Sequence, residues 1–468
     1  MATPIPANKA RFRADEVASA TGGILRGPAW EEACGVVTDS RAVQPGNLFV
    51  ALRGEQFDAH DFAVQAFETG AVAVMVEAGR SLPAHVSAIE VDDTLHALGE
   101  LAKAHRDAWN GKLVAITGSV GKTTTKELVT CALRAAGHRV LATKGNLNNR
   151  IGVPMTIFEL DDAVDVAVIE MGTSQPGEIA RLAEIASPDV ALVTRASLAH
   201  TQGLGSIEAV ADEKVALLQA LATDGVAIAY GDDAPVKKRA SVVRAKRKIF
   251  YGRTAGNDVR VVDWAVDATG TSAHFQVRGK DVEIHMSLLG EGAVLNAAGA
   301  LGIALGLDAS IEDAARGIAQ VKPAPGRMQP RAALGDRLLI DDSYNANPAS
   351  VQVALEASRA IAKKRGVPLI VVLGDMRELG AHGEEAHRKV GELVANSDVF
   401  LFIGVGEAMH GAVVAANERG TDTLWFERAD NCGQIIDRLP LHSVVLIKGS
   451  RSMEMERVVG PLLGGESR

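Results

Sequence analysis

A glycine-containing loop with a lysine and three threonines lies between an apolar and an amphipathic segment, at residues 113–127. Glycines let backbone N–H groups face an anion, and the N-terminus of a following helix adds partial positive charge. Lys122 can reach the β- and γ-phosphates of a nucleotide, and the hydroxyl of Thr123 is expected on Mg²⁺. The segment therefore predicts a phosphate loop that binds a nucleoside triphosphate through Gly118, Ser119, Val120, Gly121, Lys122, Thr123 and Thr124.

The loop is shorter than the common Walker A pattern. That pattern has a glycine five residues before Gly121, where this chain has Ile116. The short form leaves a second interpretation open, a tight glycine turn before an ordinary helix with a solvated lysine. The preceding strand, the following helix and the three hydroxyl side chains in register favour the phosphate loop.

Predicted strands and helices alternate regularly around this loop. The strands are expected at residues 113–117, 139–142, 166–170 and 190–194. Such alternation indicates a mainly parallel sheet, in which catalytic groups lie at the carboxyl ends of the strands. Glu170 ends one of these strands, and a carboxylate there suits a hard cation that takes oxygen ligands. A solvated acid at the strand end is the alternative.

The rest of the chain predicts two further α/β regions. Residues 1–107 mix short strands and helices, as in a small α/β module. The central region, 108–323, shifts toward a period of two over residues 259–289, which predicts antiparallel hairpins followed by two helices. A proline-rich linker candidate spans 322–330. Beyond it, renewed alternation predicts a Rossmann-like, doubly wound domain over 324–468.

The composition describes a globular protein of about three domains, since 468 residues exceed one core. Lys and Arg number 49 against 58 Asp and Glu, and the resulting net charge of −9 argues against general nucleic-acid binding. No apolar run spans a membrane and the start lacks signal-peptide order, so we expect a cytoplasmic protein without integral membrane association. Cys34, Cys131 and Cys432 form no metal pattern and no even disulfide set. No contiguous apolar interface stands out, so we expect a monomer.

Several motifs, in matching order over nearly the whole chain, resemble the Mur ligases of bacterial cell-wall synthesis. They are residues 38–41 with 45–54, the phosphate loop, 146–154, 169–173, 341–348, 374–380 and 448–452. The block 341–348 is the motif that best distinguishes members of this family, because the sister ligases that add the third amino acid carry a different sequence there. The resemblance thus implies a ligase that uses ATP to add D-alanyl-D-alanine to UDP-N-acetylmuramoyl-tripeptide (UDP-MurNAc-tripeptide).

The implied reaction joins a carboxylate to an amine through an acyl phosphate. The carboxylate attacks the γ-phosphate of ATP, so two anions approach each other, and magnesium with Lys122 must offset that repulsion. The amine of D-alanyl-D-alanine then displaces phosphate. The products are UDP-MurNAc-pentapeptide, ADP and phosphate.

The resemblance also assigns further catalytic and metal-binding positions. It makes Glu170 a magnesium ligand and places His200 at the second of two magnesium ions, although a lone histidine is more often structural. It makes Lys214 a lysine carbamylated by carbon dioxide, which turns a cation into an anionic oxygen ligand and requires a lowered pKa. From the sequence alone, Lys214 is a surface lysine on a helix over residues 207–222. The implied catalytic set is Lys122, Glu170, His200 and Lys214, and the metal set is Thr123, Glu170, His200 and Lys214.

The remaining implied ATP contacts are Asn296, Arg327, Asp342, Tyr344 and Asn345. Asn296 matches a family position at the adenine, and Arg327 matches a linker arginine that reaches the phosphates. Their ordinary interpretations are a polar residue at a helix start and a solvated linker charge. The other three follow a strand, in a polar turn where apolar packing would not require them. In the family this region closes over ATP, which would protect the acyl phosphate from water.

The implied contacts to the nucleotide-sugar substrate are Ser40, Arg41, Asn149 and Thr173. Arg41 could equally cap a helix or form a salt bridge. Residues 374–380 and 450–451 are expected on the D-alanyl-D-alanine side. His382 and His387 lie in a charged helical stretch and are expected at the surface.

Two other functions compete with this interpretation. Folylpolyglutamate synthase shares the phosphate loop and the central architecture but lacks the N-terminal UDP-binding module, so the match at residues 38–54 counts against it. A nucleotide switch or kinase would leave the C-terminal motifs unexplained. The substrate dependence of phosphate release discriminates between them.

Overall fold

The computed structural model describes residues 3–54, 57–196, 206–377, 379–431 and 439–464. Within these ranges the strands form sheets of two, five, nine and six strands. The architecture is α/β with a mainly parallel central sheet, as the alternation of strands and helices predicted.

The first region is a small α/β unit. Its strands are β1 (Arg11–Arg13), β2 (Ile24–Arg26), β3 (Glu32–Cys34), β4 (Val36–Val37), β5 (Leu48–Val50), β6 (Ala73–Glu77) and β7 (Ala88–Val91). Its helices are α1 (Ala14–Thr21), α2 (Ala63–Thr69) and α3 (Thr94–Ala108). Strands β1 and β3 pair antiparallel, and the other sheet has the order β2-β7-β6-β5-β4. The sequence predicts short strands at residues 35–38, 48–52 and 72–76, and these are confirmed as β4, β5 and β6.

The central region is built on the largest sheet. Its strands are β8 (Lys112–Thr117), β9 (Val140–Ala142), β10 (Val166–Glu170), β11 (Val190–Val193), β12 (Val226–Tyr230), β13 (Arg247–Gly252), β14 (Val259–Val266), β15 (Thr271–Val277) and β16 (Lys280–Met286). The order is β16-β15-β14-β13-β12-β11-β8-β10-β9. Neighbours from β9 to β14 are parallel, and β14, β15 and β16 pair antiparallel, which confirms the predicted hairpins.

Helices cover both faces of this sheet. They are α4 (Lys122–Ala135), α5 (Gly152–Ile157), α6 (Glu178–Ala186), α7 (Ile207–Gln219), α8 (Ala234–Ala240), α9 (Gly290–Gly306) and α10 (Ile311–Ala319). Strand β8 is therefore buried on both sides: Leu113 belongs to one apolar cluster and Val114 to the other. Helix α9 is apolar around most of its circumference because it lies inside the core. No helix in the described part of the chain is long and apolar enough to cross a membrane.

The last region is the predicted doubly wound unit. Its strands are β17 (Gln329–Ala333), β18 (Arg337–Asp342), β19 (Leu369–Gly374), β20 (Leu401–Val405), β21 (Thr423–Phe426) and β22 (Val444–Lys448). Its helices are α11 (Pro348–Arg365), α12 (Gly383–Ala395), α13 (Met409–Asn417) and α14 (Glu456–Leu462). The sheet order is β17-β18-β22-β19-β20-β21, parallel except for the β17–β18 pair. The carboxyl ends of its parallel strands thus lie at one edge.

Candidate active site

The phosphate loop turns sharply between β8 and α4. Gly118 has φ +151° and Gly121 has φ +89°, a conformation that favours glycine. A Cβ on Gly118 would lie 1.8 Å from Thr194 Oγ1, and one on Gly121 would lie 2.3 Å from Asn296 Oδ1. Lys122, the first residue of α4, donates from Nζ to the carbonyl of Gly118 over 2.7 Å. The backbone conformation and the close neighbours at positions 118 and 121 therefore both require glycine. The ammonium group of Lys122 folds back onto the phosphate loop.

The neighbouring strand β11 supports this loop. The N–H of Ser119 donates to the carbonyl of Arg195 over 2.8 Å, and Thr194 Oγ1 donates to the carbonyl of Val120 over 2.8 Å. Thr123 and Thr124 are half-buried in the first turn of α4. The sequence did not single out Thr194 or Arg195; the available signal was their position at the carboxyl end of a predicted parallel strand.

Glu170 is buried, with 2% of its surface exposed, at the end of β10 beside β8. Its Oε1 accepts a hydrogen bond from Asn148 Nδ2 over 2.9 Å, and its N–H donates to Thr143 Oγ1 over 2.9 Å. Its Oε2 has no hydrogen-bond partner among the described residues. The alternative of a solvated acid is wrong, because the carboxylate is buried. A buried carboxylate with one free oxygen would suit a cation ligand.

Lys214 is the largest departure from the sequence prediction. Only 1% of its surface is exposed, because α7 buries residues on both sides of it, including Val210 and Leu218. Burial, followed by the nearby positive charge of Lys122, holds the pKa of Lys214 well below its usual range. Its Nζ has no hydrogen-bond partner in the described ranges. The prediction of a surface lysine is therefore wrong, and the lowered pKa favours the neutral amine that carbamylation requires.

Thr173 belongs to a polar network at the start of α6. Its Oγ1 lies 2.7 Å from the carbonyl of Gln175 and 3.0 Å from Glu178 Oε2. Glu213, the residue before Lys214, accepts hydrogen bonds from the N–H groups of Gly177 and Ile179 over 2.7 and 2.9 Å. This network fixes the N-terminus of α6 beside the buried lysine.

The other predicted contacts to the nucleotide sugar lie at exposed positions or in short turns. Asn149 Oδ1 accepts hydrogen bonds from the N–H groups of Ile151 and Gly152, so its side chain stabilises the turn that leads into α5. Ser40 begins a short 3₁₀ helix, Ser40–Ala42. Arg41 forms hydrogen bonds to both carboxylate oxygens of Asp39, at 2.9 and 2.7 Å, and lowers the pKa of that carboxyl. The side chain of Arg41 is still 88% exposed, so the salt bridge leaves its guanidinium accessible.

A second group of predicted ATP residues lies at the end of β18. The guanidinium of Arg327 lies 4.1 Å from the ring centroid of Tyr344. Lys448 donates to Asp342 Oδ2 over 2.6 Å and to the carbonyl of Asn345 over 2.7 Å. Lys448 therefore contacts the predicted ATP residues, although the sequence indicates it only as the first residue of the motif 448–452.

A small cavity links the phosphate loop to the C-terminal region. Its wall includes Asn296, Tyr230, Tyr251 and Val353, the last on α11. The guanidinium of Arg195 lies 5.5 Å from the ring centroid of Tyr230. The structure thus places the predicted adenine contact beside the phosphate loop. The contacts of Arg327 and Asp342 described above are within the C-terminal region, and His200 lies outside the described residues.

The donors near the loop fit magnesium. No cluster of three His, Cys, Asp or Glu side chains that could hold a metal ion occurs in the part of the chain that the structure describes. Magnesium usually takes one or two carboxylates together with substrate phosphates and water. The hydroxyl of Thr123 and the free oxygen of Glu170 match that requirement, because both are hard oxygen donors.

The parallel sheet, the phosphate loop and the buried carboxylate on the adjacent strand define a nucleotide-dependent α/β enzyme of the phosphate-loop class. Three family profiles match the chain: "Mur ligase family, catalytic domain" over residues 33–106, "Mur ligase middle domain" over 116–304, and "Mur ligase, glutamate ligase domain" over 326–451. The chain belongs to the Mur ligase family, as its motifs predicted.

Relatives match over nearly the whole length. The UDP-N-acetylmuramoyl-tripeptide–D-alanyl-D-alanine ligase of Escherichia coli K12 is 38% identical, over 91% of this chain and 93% of that protein. A crystal structure of MurF from Acinetobacter baumannii has a TM-score of 0.87 and 29% identity, covering 99% of this chain and 100% of that one. The MurF ligase of Thermotoga maritima in complex with ADP has a TM-score of 0.82 and 28% identity, covering 92% and 97%.

Proposed function

We propose that this chain is the ATP-dependent ligase that joins D-alanyl-D-alanine to UDP-MurNAc-tripeptide, giving UDP-MurNAc-pentapeptide, ADP and phosphate. The observation that carries the proposal is the similarity to the Escherichia coli enzyme of that name over 91% of the chain. The match of a Mur ligase profile to residues 33–106 weighs against folylpolyglutamate synthase. The solved relative in complex with ADP supports ATP as the nucleotide.

The first chemical step requires positive charge at the phosphate loop. Two unit charges 4 Å apart interact by about 4 kcal/mol at an effective dielectric constant near 20. Lys122 and the N-terminus of α4 would offset that repulsion, since both lie at the loop that would hold the β- and γ-phosphates. Their role would be to let the substrate carboxylate approach the γ-phosphate.

Magnesium is expected at the same place. Thr123 and the free Oε2 of Glu170 would hold one ion, and His200 with Lys214 would hold the second. Bound magnesium supplies a Lewis acid that neutralises developing charge on the phosphoryl oxygens. For the second site, the neutral Nζ of Lys214 would attack the carbon of carbon dioxide, moving one C=O electron pair onto oxygen. The nitrogen would then release a proton to water, which would leave an anionic carbamate.

The other regions would bind the two remaining substrates. Ser40 and the accessible guanidinium of Arg41 would contact the nucleotide part of UDP-MurNAc-tripeptide, with Asn149 and Thr173 nearer its reacting end. Arg327, Asp342, Tyr344 and Asn345 would approach ATP when the C-terminal domain closes. We assign the domains to residues 1–107, 108–323 and 324–468, in a cytoplasmic monomer.

The test is phosphate release from ATP with and without each substrate. We expect release to require both UDP-MurNAc-tripeptide and D-alanyl-D-alanine, and mass spectrometry to show the pentapeptide product. Lys122→Ala is expected to abolish release. Its matched control, Lys112→Ala, changes an exposed lysine at the start of β8 that pairs with Asp189 and is expected to retain activity.

Two results would contradict the proposal. Strong ATP hydrolysis with neither substrate present would indicate a nucleotide switch. Glutamate addition to a folate, without use of the nucleotide sugar, would indicate folylpolyglutamate synthase.

A further inference from the structure

His387 is buried on α12, with 1% of its surface exposed, although its charged surroundings in the sequence predicted a surface position. The backbone N–H of Met376 donates to His387 Nε2 over 3.0 Å. On the other side of the ring, Nδ1 lies 2.7 Å from the carbonyl of Gly383. A backbone N–H can only donate and a carbonyl can only accept, so Nε2 must be unprotonated and Nδ1 must carry the proton. These two contacts specify one neutral tautomer.

The amide that His387 holds follows the carboxyl end of β19, at the edge of the C-terminal sheet where doubly wound folds form a ligand crevice. Strands β19 and β22 are neighbours, yet the segments that follow them lead to opposite faces. Helix α12, after β19, packs through Val390 into one core cluster, and α14, after β22, packs through Val458 into another. In doubly wound sheets, ligands bind where the connections of adjacent strands diverge in this way.

The two segments at this crevice are joined by hydrogen bonds. The N–H of Arg377 donates to Ser450 Oγ over 2.8 Å, and the N–H of Ser450 donates to the carbonyl of Asp375 over 3.1 Å. The Asp375 carboxylate accepts the N–H of Met409, which attaches the segment to α13 as well. Met376 lies between these attachment points, and His387 fixes the amide of that residue.

We propose that His387 is a positioning residue for the second substrate, D-alanyl-D-alanine. It holds residues 375–377 as one wall of the crevice between β19 and β22. The side chain of Arg377 at this wall is 60% exposed, although one of its nitrogens lies 3.5 Å from an oxygen of Asp375, and its guanidinium suits the carboxylate of a dipeptide. The inference rests on the proposed function, because the phosphate loop then takes ATP and the N-terminal region takes the nucleotide sugar.

Three substitutions of His387 distinguish a role in positioning the Met376 amide from a role in filling space in the core. His387→Gln can place an amide oxygen near the position of Nε2 and keep an acceptor for Met376. His387→Asn is shorter and keeps only a donor near the position of Nδ1, and His387→Leu keeps volume without either group. We expect Leu and Asn to raise the KM for D-alanyl-D-alanine by about tenfold, the effect of leaving one buried N–H without its acceptor. For His387→Gln, the KM for D-alanyl-D-alanine should stay within about threefold of the wild-type value. In all three variants the KM values for ATP and UDP-MurNAc-tripeptide should not change.

The control is His410→Gln, the same change at an exposed histidine of α13 in the same region. A lower melting temperature for His387→Leu or His387→Asn with unchanged KM values would mean a purely structural role and would overturn the proposal. Equal KM values for the Gln and Leu variants would also overturn it. If the Leu variant does not fold, the difference in KM for D-alanyl-D-alanine between the Gln and Asn variants still tests the proposal, and equal values would overturn it.

The tautomer is measured independently on the wild-type protein by ¹⁵N NMR of labelled histidine. We expect an unprotonated Nε2 and a protonated Nδ1 for His387, and a proton on Nε2 would overturn the inference. If the wild-type protein does not require D-alanyl-D-alanine for turnover, the proposed function fails. The tautomer result would still stand on its own in that case, so the two failures are distinguishable.

Discussion

Replacing Lys214 with methionine should remove activity and stabilise the fold at the same time. The Nζ of Lys214 is buried without a hydrogen-bond partner among the described residues, and methionine keeps most of the side-chain volume without the amine. An unsatisfied buried polar group costs about 1–3 kcal/mol. For a domain of about 200 residues, each kcal/mol shifts the melting temperature by about 3 °C. Counting only this missing hydrogen bond, we therefore expect Lys214→Met to melt about 3–9 °C higher than the wild type near pH 10, where the cost of losing the proton on folding is smallest.

The chain contains a matched control for this experiment. Lys126 is also a buried helical lysine, but its Nζ donates to the carbonyl of Thr143 over 2.7 Å and pairs with Glu127 at 2.8 Å. Lys126→Met leaves that carbonyl without its charged donor, so we expect a loss of about 1.5–3 kcal/mol. The assay is scanning calorimetry of both variants in metal-free buffer depleted of carbon dioxide, so that Lys214 is compared as the free amine.

The stability difference between Lys214→Met and the wild type should depend on pH. The pKa of Lys214 is lowered in the folded state, so between that value and the ordinary lysine value of about 10.4 the unfolded chain binds one more proton than the folded chain. Stability contributed by this group therefore rises with pH across that window. The advantage of Lys214→Met should shrink as the pH rises from about 7 to about 10. A variant that is destabilised, or that keeps full ligase activity, would refute the reasoning.

Four further changes test other parts of the site. Glu170→Gln should abolish turnover and weaken Mn²⁺ binding, measured by electron paramagnetic resonance; unchanged binding would remove Glu170 as a metal ligand. Asn148→Leu, which removes the bond that orients Glu170, should lower metal affinity by about 10- to 100-fold. Gly121→Ala should weaken ATP binding in calorimetry, because alanine is strained at φ +89° and its Cβ would displace Asn296 Oδ1, and an unaffected affinity would contradict the loop geometry. Arg41→Ala should leave the melting temperature unchanged and raise the KM for UDP-MurNAc-tripeptide; an unchanged KM would exclude Arg41 from that site.

Much of the fold follows from local signals in the sequence. The strands β8, β10 and β11 and the hairpins after residue 259 were predicted because apolar periodicity and turn residues are read within a short window. The positions of Gly118 and Gly121 were likewise predictable, since a phosphate loop has a characteristic local pattern.

The partners of the site residues were less predictable. Asn148 and Asn149 are adjacent in the sequence, and the family resemblance implies a substrate contact for Asn149 alone. In the structure Asn148 contacts Glu170, whereas Asn149 accepts backbone N–H groups in the turn before α5. Adjacent side chains on an irregular loop point in different directions. Which of the two asparagines reaches the carboxylate of Glu170 depends on how the backbone of this loop passes the end of β10.

The sequence by itself determined where phosphate would bind and which family of ligases this chain resembles, because glycines, a lysine and hydroxyl groups act through their local spacing. The tertiary structure alone decided the environments of Lys214 and His387. Both residues lie among charged neighbours in the sequence, yet both are about 1% exposed. Burial depends on which sheet and helices pack over a residue, and those contacts come from parts of the chain far away in sequence. The lowered pKa of Lys214 and the tautomer of His387 follow from that packing.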